Sequence, residues 1–553
     1  MPQGGAFLVG EWVQPYDPAG SFYISVLAAA APLALLLTMI VVLRIKSYIA
    51  GGITLAVTCA EATLLWRMPA VKAAGSVTLG AAFALFPIAY IVVGSLFLYN
   101  LAVQTGRFTE IRRSLEAVSR DRRIQAILVG YCFAAFLDST TGFLTPVTIT
   151  ASILAGLGFP PVEAARLGLL GASMPSAFGA MGLSIVVLSQ VSGLSMDAIS
   201  IMSGRQMPFL SLAMPFVLLA RMAGMTPRIL ARVLPHALAT GATYAFVLFA
   251  FSNYISHYSA ALAAAVCGLV AAAITARIWP LNDRFEFDAS RTADAGPRRG
   301  LPPVRILIDA WMPFILLNVV VLVWTVPQVQ SILDAASLQI PVAALHNLVL
   351  RTPPAVPRAT PMAAVLNLNW LSAAGTGILV AAVSSVVVLR VPLETAASIL
   401  AGTVRQVRLS ILTMVTVFGA AYLMNYSGMS TTLALAIARS GRAFPFLSPI
   451  LGWLGAVMVG SNTASDAMFA SLQVMTANRV GMPPVLAVAG NGVAAVFGKM
   501  LAPQTLAVAA SVAGIPGEES VLFRRIVLTS VMLAVSVGLI SVIQAYLVPG
   551  MIP

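Results

Sequence analysis

The sequence predicts an all-α membrane protein of about 12 transmembrane helices plus two re-entrant hairpins, arranged as two inverted-topology repeats. Composition is the first observation behind this. Hydrophobic residues make up 59% of the chain and charged residues only 9%, whereas a soluble domain needs far more charge to cover its surface. Apolar runs of about 20 residues recur from end to end, each long enough to cross a bilayer, where a closed barrel would show short alternating segments. The second observation is an internal register. Gly52, Arg67, Pro69, Ala73, Ala74, Thr140, Gly158, Pro160, Pro161, Val162 and Ala164 recur 323 positions later as Gly375, Arg390, Pro392, Ala396, Ala397, Thr463, Gly481, Pro483, Pro484, Val485 and Ala487. The third is the charge distribution, which gives the two copies opposite orientations.

A lipid bilayer, rather than nucleic acid, accounts for the net charge of +13. The cations are almost all Arg, with Lys only at Lys46, Lys72 and Lys499, and they cluster between apolar runs as the positive-inside rule expects. Cys59, Cys132 and Cys267 lie in separate apolar segments, and His236, His257 and His346 are scattered. Neither a metal site nor a disulfide framework is expected from such spacing. No cofactor is implied, since P-loop, HExxH and GxSxG patterns are lacking. The N-terminus has no basic n-region, so no cleavable signal peptide is expected.

Residues 1–47 read as an N-terminal segment and a first span, about 23–43, after which Arg44 and Lys46 mark the cytoplasmic side. The first repeat, 48–206, opens with spans near 48–66 and 79–103. Arg107, Arg112, Arg113, Arg120, Arg122 and Arg123 follow, the strongest cytoplasmic signal in the chain, read as an amphipathic interfacial helix. The apolar stretch 124–157 is interrupted by Asp138-Ser-Thr-Thr-Gly142 and by Pro146. It is short for two spans and reads as a re-entrant hairpin whose polar tip lies at depth, the alternative being a pair of thin spans. Irregular backbone there must line a cavity or be buried in protein. A helix over 162–190 carries Pro175 and Phe178-Gly-Ala-Met-Gly182, which predict a break.

Connecting spans occupy 207–280, a cytoplasmic loop 281–305 divides the halves, and a span with a charge-poor external loop fills 306–370. Arg221, Arg228, Arg232, Arg277 and Arg284 keep the sign rule. The second repeat, 371–520, therefore starts from outside, whereas the first started from inside. Its hairpin, 444–478, carries Ser461-Asn-Thr-Ala-Ser-Asp466, and its broken helix, 483–513, carries Phe497-Gly-Lys-Met-Leu-Ala-Pro503. Phe178-Gly179 and Met181 match Phe497-Gly498 and Met500 with a four-residue shift. A last span closes the chain over 521–553. Arg390, Arg405, Arg408, Arg524 and Arg525 fall inside; Arg439 and Arg442 are the exceptions. Inverted repeats in an apolar chain are the architecture of many secondary transporters, with the substrate near the midplane between the copies.

The two tips align directly, Asp138-Ser139-Thr140-Thr141-Gly142 over Ser461-Asn462-Thr463-Ala464-Ser465. Hydroxyl and amide side chains, freed backbone N–H groups and the positive ends of half-helices suit a small organic anion. The plain alternative is that the hydroxyls mend kinked helices. Polarity at the same register position in both copies favours substrate binding by Ser139, Thr140, Thr141, Gly142, Ser461, Asn462, Thr463 and Ser465. Asp138 and Asp466 are ionisable groups within apolar stretches, which cost ~2.5–3.5 kcal/mol on insertion scales and are usually functional. They suit proton coupling, sodium ligation or a structural hydrogen bond, with protons favoured. Lys499, the only Lys of the second half, sits at the expected break. It can pair with a substrate carboxylate or with Asp466, or snorkel. Glu61 is weaker, its register partner being Ser384, and Arg205 reads as a positional anchor.

At these residues the chain resembles the lactate permease family over nearly its whole length. The resemblance rests on Tyr16-Asp-Pro-Ala-Gly20, Phe178-Gly-Ala-Met-Gly182, Gly204-Arg-Gln206, Asn425-Tyr-Ser-Gly428, Ser448-Pro-Ile-Leu-Gly-Trp-Leu-Gly455, Gly498-Lys-Met500 with Pro503-Gln504, and Met551-Ile-Pro553. Singly these are weak; in this order and spacing they are specific. The resemblance implies inverted repeats with paired hairpins and carriage of L-lactate, D-lactate and glycolate with protons. The departures fall at the tips. The family typically shows a Glu followed by Gly and Ala residues and then Gly-Phe-Gly-Ala-Pro, where this chain has Asp138-Ser-Thr-Thr-Gly-Phe-Leu-Thr-Pro146. In the second tip the family's acid and Asn are exchanged, giving Asn462 and Asp466. A shorter acid and three added hydroxyls imply a more polar or differently shaped ligand.

The expectation is a multi-pass secondary transporter of the bacterial cytoplasmic membrane, carrying small 2-hydroxy monocarboxylates by proton symport. The nearest alternative is a sodium- or proton-coupled carrier of another small carboxylate or a sulfonate. An enzyme would need a catalytic constellation, and a carrier-derived sensor an appended soluble domain; neither is seen in the sequence.

Overall fold

In a computed structural model of the chain, the described residues run from 10 to 553 except 44, 120, 143, 174–176, 223–224, 282, 284, 288–302 and 325. Arg44, Arg120, Pro175, Arg284 and most of the loop expected at 281–305 lie outside the described residues. Helix dominates, because a segment in lipid must satisfy its N–H and C=O groups internally. Among the described residues, ten helices are long and apolar enough to cross a membrane, or eleven if one bent pair counts as a span. Two further helices fall short of that. Ala374–Val388 has 15 residues, fewer than the ~20 a bilayer core asks for. Met196–Ala220 has 25 residues, but Asp197, Ser200, Ser203, Arg205 and Gln206 dilute its first half.

Local geometry recurs at the sequence register. Helices Ala70–Gln104 and Leu393–Ser427 have 35 residues each and begin 323 positions apart. Each is entered through a proline, Pro69 or Pro392, two residues after a left-handed arginine: Arg67 has φ 54° and Arg390 φ 51°. That conformation costs about 1–3 kcal/mol at a non-glycine residue, and here it reverses the chain between successive helices. Gly158 (φ 86°) and Gly481 (φ 73°) turn the chain in the same way.

Two helical hairpins carry the polar tips. The first pairs α1 (Arg122–Thr141) with α2 (Thr145–Gly156), and the chain leaves α1 at Gly142, with φ 61°. The apolar window of α1 is 100% buried, against 33% for the first span Phe22–Ile40. This arm is therefore walled by protein on all sides. After α3 (Pro161–Gly171), a left-handed turn at Gly179, Met181 and Gly182 leads into α4 (Leu183–Ser192). In the second half, α5 is the Leu393–Ser427 helix, and α6 (Phe444–Val459) and α7 (Asn462–Val480) form the second hairpin, reversed at Gly460 with φ 68°. Then α8 (Pro484–Lys499) and α9 (Pro503–Val512) meet at a 42° bend. The shifted match of Phe178-Gly179 to Phe497-Gly498 does not extend to conformation. The first copy is a left-handed turn, whereas Phe497 and Gly498 lie within α8.

The loop expected at 327–370 contains short strands. β1 (Trp12–Val13) near the N-terminus runs parallel to β3 (Val349–Arg351), which pairs antiparallel with β4 (Thr360–Pro361). β2 (Leu338–Pro341) pairs with β5 (Val365–Leu368). Strands of two to four residues are too short to show an alternating pattern in sequence. They form a cap that ties the N-terminal segment to this loop.

The arginine cluster divides in two. Arg107–Val118 is a separate amphipathic helix, but Arg123 is fully buried. Its guanidinium bonds both Asp121 oxygens, at 2.9 and 2.7 Å, and lies 3.5 Å from Asp283. Arg232 reaches the same Asp283 at 2.6 Å. Burial opposes ionisation of Asp283, yet hydrogen bonds and charge from Arg232 and Arg123 hold its carboxyl below the usual range.

Candidate functional site

Both tips open onto one cavity of about 50 Å³, lined by Asp138, Gly142, Gly179, Ala180, Leu183, Ser184, Gly460, Ser461, Asn462, Thr463 and Lys499. Four helix ends converge there. α4 contributes its first residues, Leu183 and Ser184, and α7 contributes Asn462 and Thr463. Helix starts present unpaired N–H groups and a positive dipole end, a combination that favours anions. Ser461 caps α7 by accepting from the Ala464 N–H. α1 contributes Asp138 near its C-terminal end, and α8 contributes Lys499 as its last residue.

Lys499 Nζ donates to Asp138 Oδ1 at 2.8 Å, with side chains 7% and 1% exposed. The negative end of α8 favours a cation at this position. Removing one partner of such a pair leaves a buried charge, at a cost of about 3–5 kcal/mol. Lys499 thus pairs with Asp138, across the two halves, and not with Asp466.

Asp466 lies in the second turn of α7 and is fully buried. Its Oδ2 accepts from Ser184 Oγ at 2.7 Å and its Oδ1 from Asn491 Nδ2 at 3.1 Å. Asn491 in turn accepts from Gln473, which also donates to the Ser448 carbonyl. This chain of neutral donors ties α4, α6, α7 and α8 together. Among the described residues no cation pairs with Asp466.

Of the residues singled out from sequence, Asp138, Gly142, Ser461, Asn462, Thr463 and Lys499 line the cavity. Ser139 and Thr140 instead donate to the Phe136 carbonyl at 2.9 Å, and Thr141 to Leu137 at 2.8 Å, within their own helix. Ser465 donates to the Gly452 carbonyl at 2.8 Å. Asp466 sits one layer behind the lining, reached through Ser184. Arg205 donates to Met551 and Asn253, and Glu61 stands on Ser47–Leu64, away from the cavity. Ser184 and Asn491 were not foreseen. Their signal was available: a hydroxyl two residues after a glycine-rich turn, and a lone amide inside an apolar helix.

A larger cavity of about 910 Å³ lies beyond the second tip, mostly apolar, with Lys46, Gln504 and Arg524 among its polar lining. Gln504, on its lining, donates to the Val459 carbonyl and accepts from Ser47 at 2.8 Å.

A family model described as L-lactate permease matches residues 25–548. The L-lactate permease of Escherichia coli (strain K12) is 38% identical over 98% of this chain and 100% of its own length. The glycolate permease GlcA of the same strain is also 38% identical, over 98% of this chain and 99% of its own. The solved Alcanivorax borkumensis YdaH transporter aligns over 86% of this chain and 87% of its own at 14% identity and a TM-score of 0.42, too remote a likeness to bear on any side chain.

Proposed function

Because the chain belongs to the L-lactate permease family, a family of multi-pass membrane transporters, we propose that it carries small 2-hydroxy monocarboxylates, lactate and glycolate among them, by proton symport. The observation that carries this reading is the buried Asp138–Lys499 pair at the cavity where the starts of α4 and α7 converge.

As it stands the pair is neutral. An incoming carboxylate adds a negative charge that is costly away from water. A proton on Asp138 restores the balance: the acid becomes neutral, Lys499 is released, and its ammonium pairs with the substrate carboxylate. One proton and one anion then cross together without net charge. Backbone N–H groups at the two helix starts, with Asn462 and Thr463, offer donors and acceptors to the carboxylate and the 2-hydroxyl. Asp466 is the second acid. It links α4 to α7, so a proton bound there is felt by both sides of the cavity.

A cavity of about 50 Å³ holds only a few waters at roughly 10–15 Å³ each, so the anion enters as the pair and the tips part. The 323-residue register supports two related, inverted units, one moving against the other to give alternating access.

Uptake of labelled L-lactate and glycolate into vesicles in sodium-free medium tests the reading. Propionate, which lacks the hydroxyl, should compete at least ~10-fold less well, because a site built for a hydroxyl is left with unpaired groups. Failure of folded protein to take up either acid would reject these substrates. An absolute need for sodium would favour a sodium-coupled carrier of small organic anions.

A further inference from the structure

A third cavity, of about 280 Å³, lies between the strand cap and the helices, bordered by Gln190, Arg351, Asn425, Tyr426, Ser471 and Val474 among others. Arg351 ends β3. Its Nη2 donates to Asn425 Oδ1 at 3.1 Å, and that oxygen also accepts from Ser471 Oγ at 2.7 Å. Its Nε is buried and has no hydrogen-bond partner among the described residues. Among the described residues no acidic side chain lines the cavity and no ion pair involves Arg351. A half-buried guanidinium is normally matched by a carboxylate, whose two oxygens fit its fork of donors. Burial, the larger effect, pushes Arg351 below its ordinary range, while Tyr16 and Tyr426 oppose that shift.

The cavity is connected to the tips by shared elements. α4 carries Leu183 and Ser184 at the tip cavity and Gln190 here; α7 carries Asn462 and Thr463 there and Ser471 and Val474 here. At about 1.5 Å per helical residue the two places lie roughly 9–18 Å apart along one helix pair. The Ser184–Asp466 hydrogen bond closes that pair between them. The charge rule places the cap on the outer face.

We propose that the Arg351 cavity is an outer recognition site for small monocarboxylates, occupied before the anion passes to the tips. Arg351 takes the carboxylate with the donors that Asn425 leaves free, and the cavity volume accommodates a three-carbon acid with water to spare. The site rests on the transport reading, since it is a station for the transported anion.

The test compares uptake and efflux of labelled L-lactate in oriented vesicles of the full chain. Arg351→Gln is expected to raise the KM for uptake from the cap side at least 10-fold, with the maximal rate within twofold of the parent and the efflux KM unchanged. Arg351→Lys should fall between. Val356→Trp, which fills the cavity from the loop and leaves Arg351 in the chain, should raise the same KM and keeps the test open if Arg351→Gln folds poorly. An unchanged KM in folded Arg351→Gln and Val356→Trp beside an active parent overturns the outer site alone. Equal losses of maximal rate in both directions would make Arg351 a tether of the cap to α5 and also overturn it. A parent that transports no monocarboxylate overturns the transport reading, and the outer site with it.

Discussion

Lys499, the last residue of α8, holds Asp138 of the first hairpin at 2.8 Å although 361 residues separate them in the chain. The contact joins the two halves at the tips, so the cavity is assembled only when both halves are folded. It also supplies the charge logic of the proposed symport, with one cation shared between a protonatable acid and the substrate.

Lys499→Gln removes the cation that faces Asp138 and is expected to lower Tm in detergent, since breaking a buried ion pair destabilises by up to ~3–5 kcal/mol. It should also abolish both gradient-driven uptake and lactate exchange. Combining it with Asp138→Asn removes both charges, so most of the lost Tm returns while transport stays at least ~100-fold down. Thermal unfolding and exchange assays on the three proteins check this. A double variant that transports like the parent would contradict the assigned role of Lys499.

Asp466 makes a different prediction because its partners are neutral. Asp466→Ala leaves the Ser184 hydroxyl and the Asn491 amide without an acceptor, at about 1–3 kcal/mol each. Asp466→Asn keeps the volume and one acceptor. The expected order of Tm is therefore parent, Asn variant, Ala variant, and the Asn variant should transport about 10–100-fold more slowly with KM near the parent's. Equal Tm for the two variants would show that these hydrogen bonds carry no stability.

The helices and both hairpin tips were legible because two polar interruptions stand out in long apolar runs and because proline and left-handed glycine or arginine mark the reversals. The partner of Lys499 was not, since pairing across 361 residues depends on how the halves dock. Ser139, Thr140 and Thr141 illustrate a second limit. Hydroxyls within a helix can satisfy themselves on carbonyls three or four residues earlier, so polarity alone does not say which of them faces a cavity. Arg123 shows a third: a run of arginines reads as surface, and only the meeting of residues 121 and 283 around it reveals burial. The Arg351 cavity was hidden because its walls come from the cap and from both halves.

Gly460 tests the geometry of the second tip. Its φ of 68° is strained for any side chain, and an added Cβ would run into the Gln504 amide. Gly460→Ala should therefore lose stability by more than the ~1 kcal/mol expected from φ alone and cut the maximal uptake rate about 10-fold. Adding Gln504→Ala relieves the collision with the amide, but not the 3.0 Å approach to Ala502 Cβ or the backbone strain, so Tm should recover only partly. Full recovery would mean that the left-handed turn is unimportant.

His257, in the turn between Pro227–Tyr254 and Ala260–Ile278, gives the pH dependence. Burial pushes it down to about 4, against a smaller opposing effect of Asp197. The unfolded chain binds this proton near pH 6.5 and the folded chain only near 4, so stability is lost as pH falls between those values, by up to ~3 kcal/mol. Tm of the parent should drop through this window, and the drop should flatten in His257→Gln. An identical profile in both proteins would assign the acid sensitivity elsewhere.

The most direct test of the central claim is accumulation of labelled L-lactate in proteoliposomes under an inward proton gradient without sodium, comparing the parent with Asp138→Asn. The account predicts gradient-driven accumulation in the parent. In Asp138→Asn, which mimics the protonated acid and removes the carboxylate charge facing Lys499, accumulation should vanish while lactate–lactate exchange persists. Undiminished gradient-driven accumulation in Asp138→Asn, or accumulation in the parent that follows sodium and ignores the proton gradient, would contradict it.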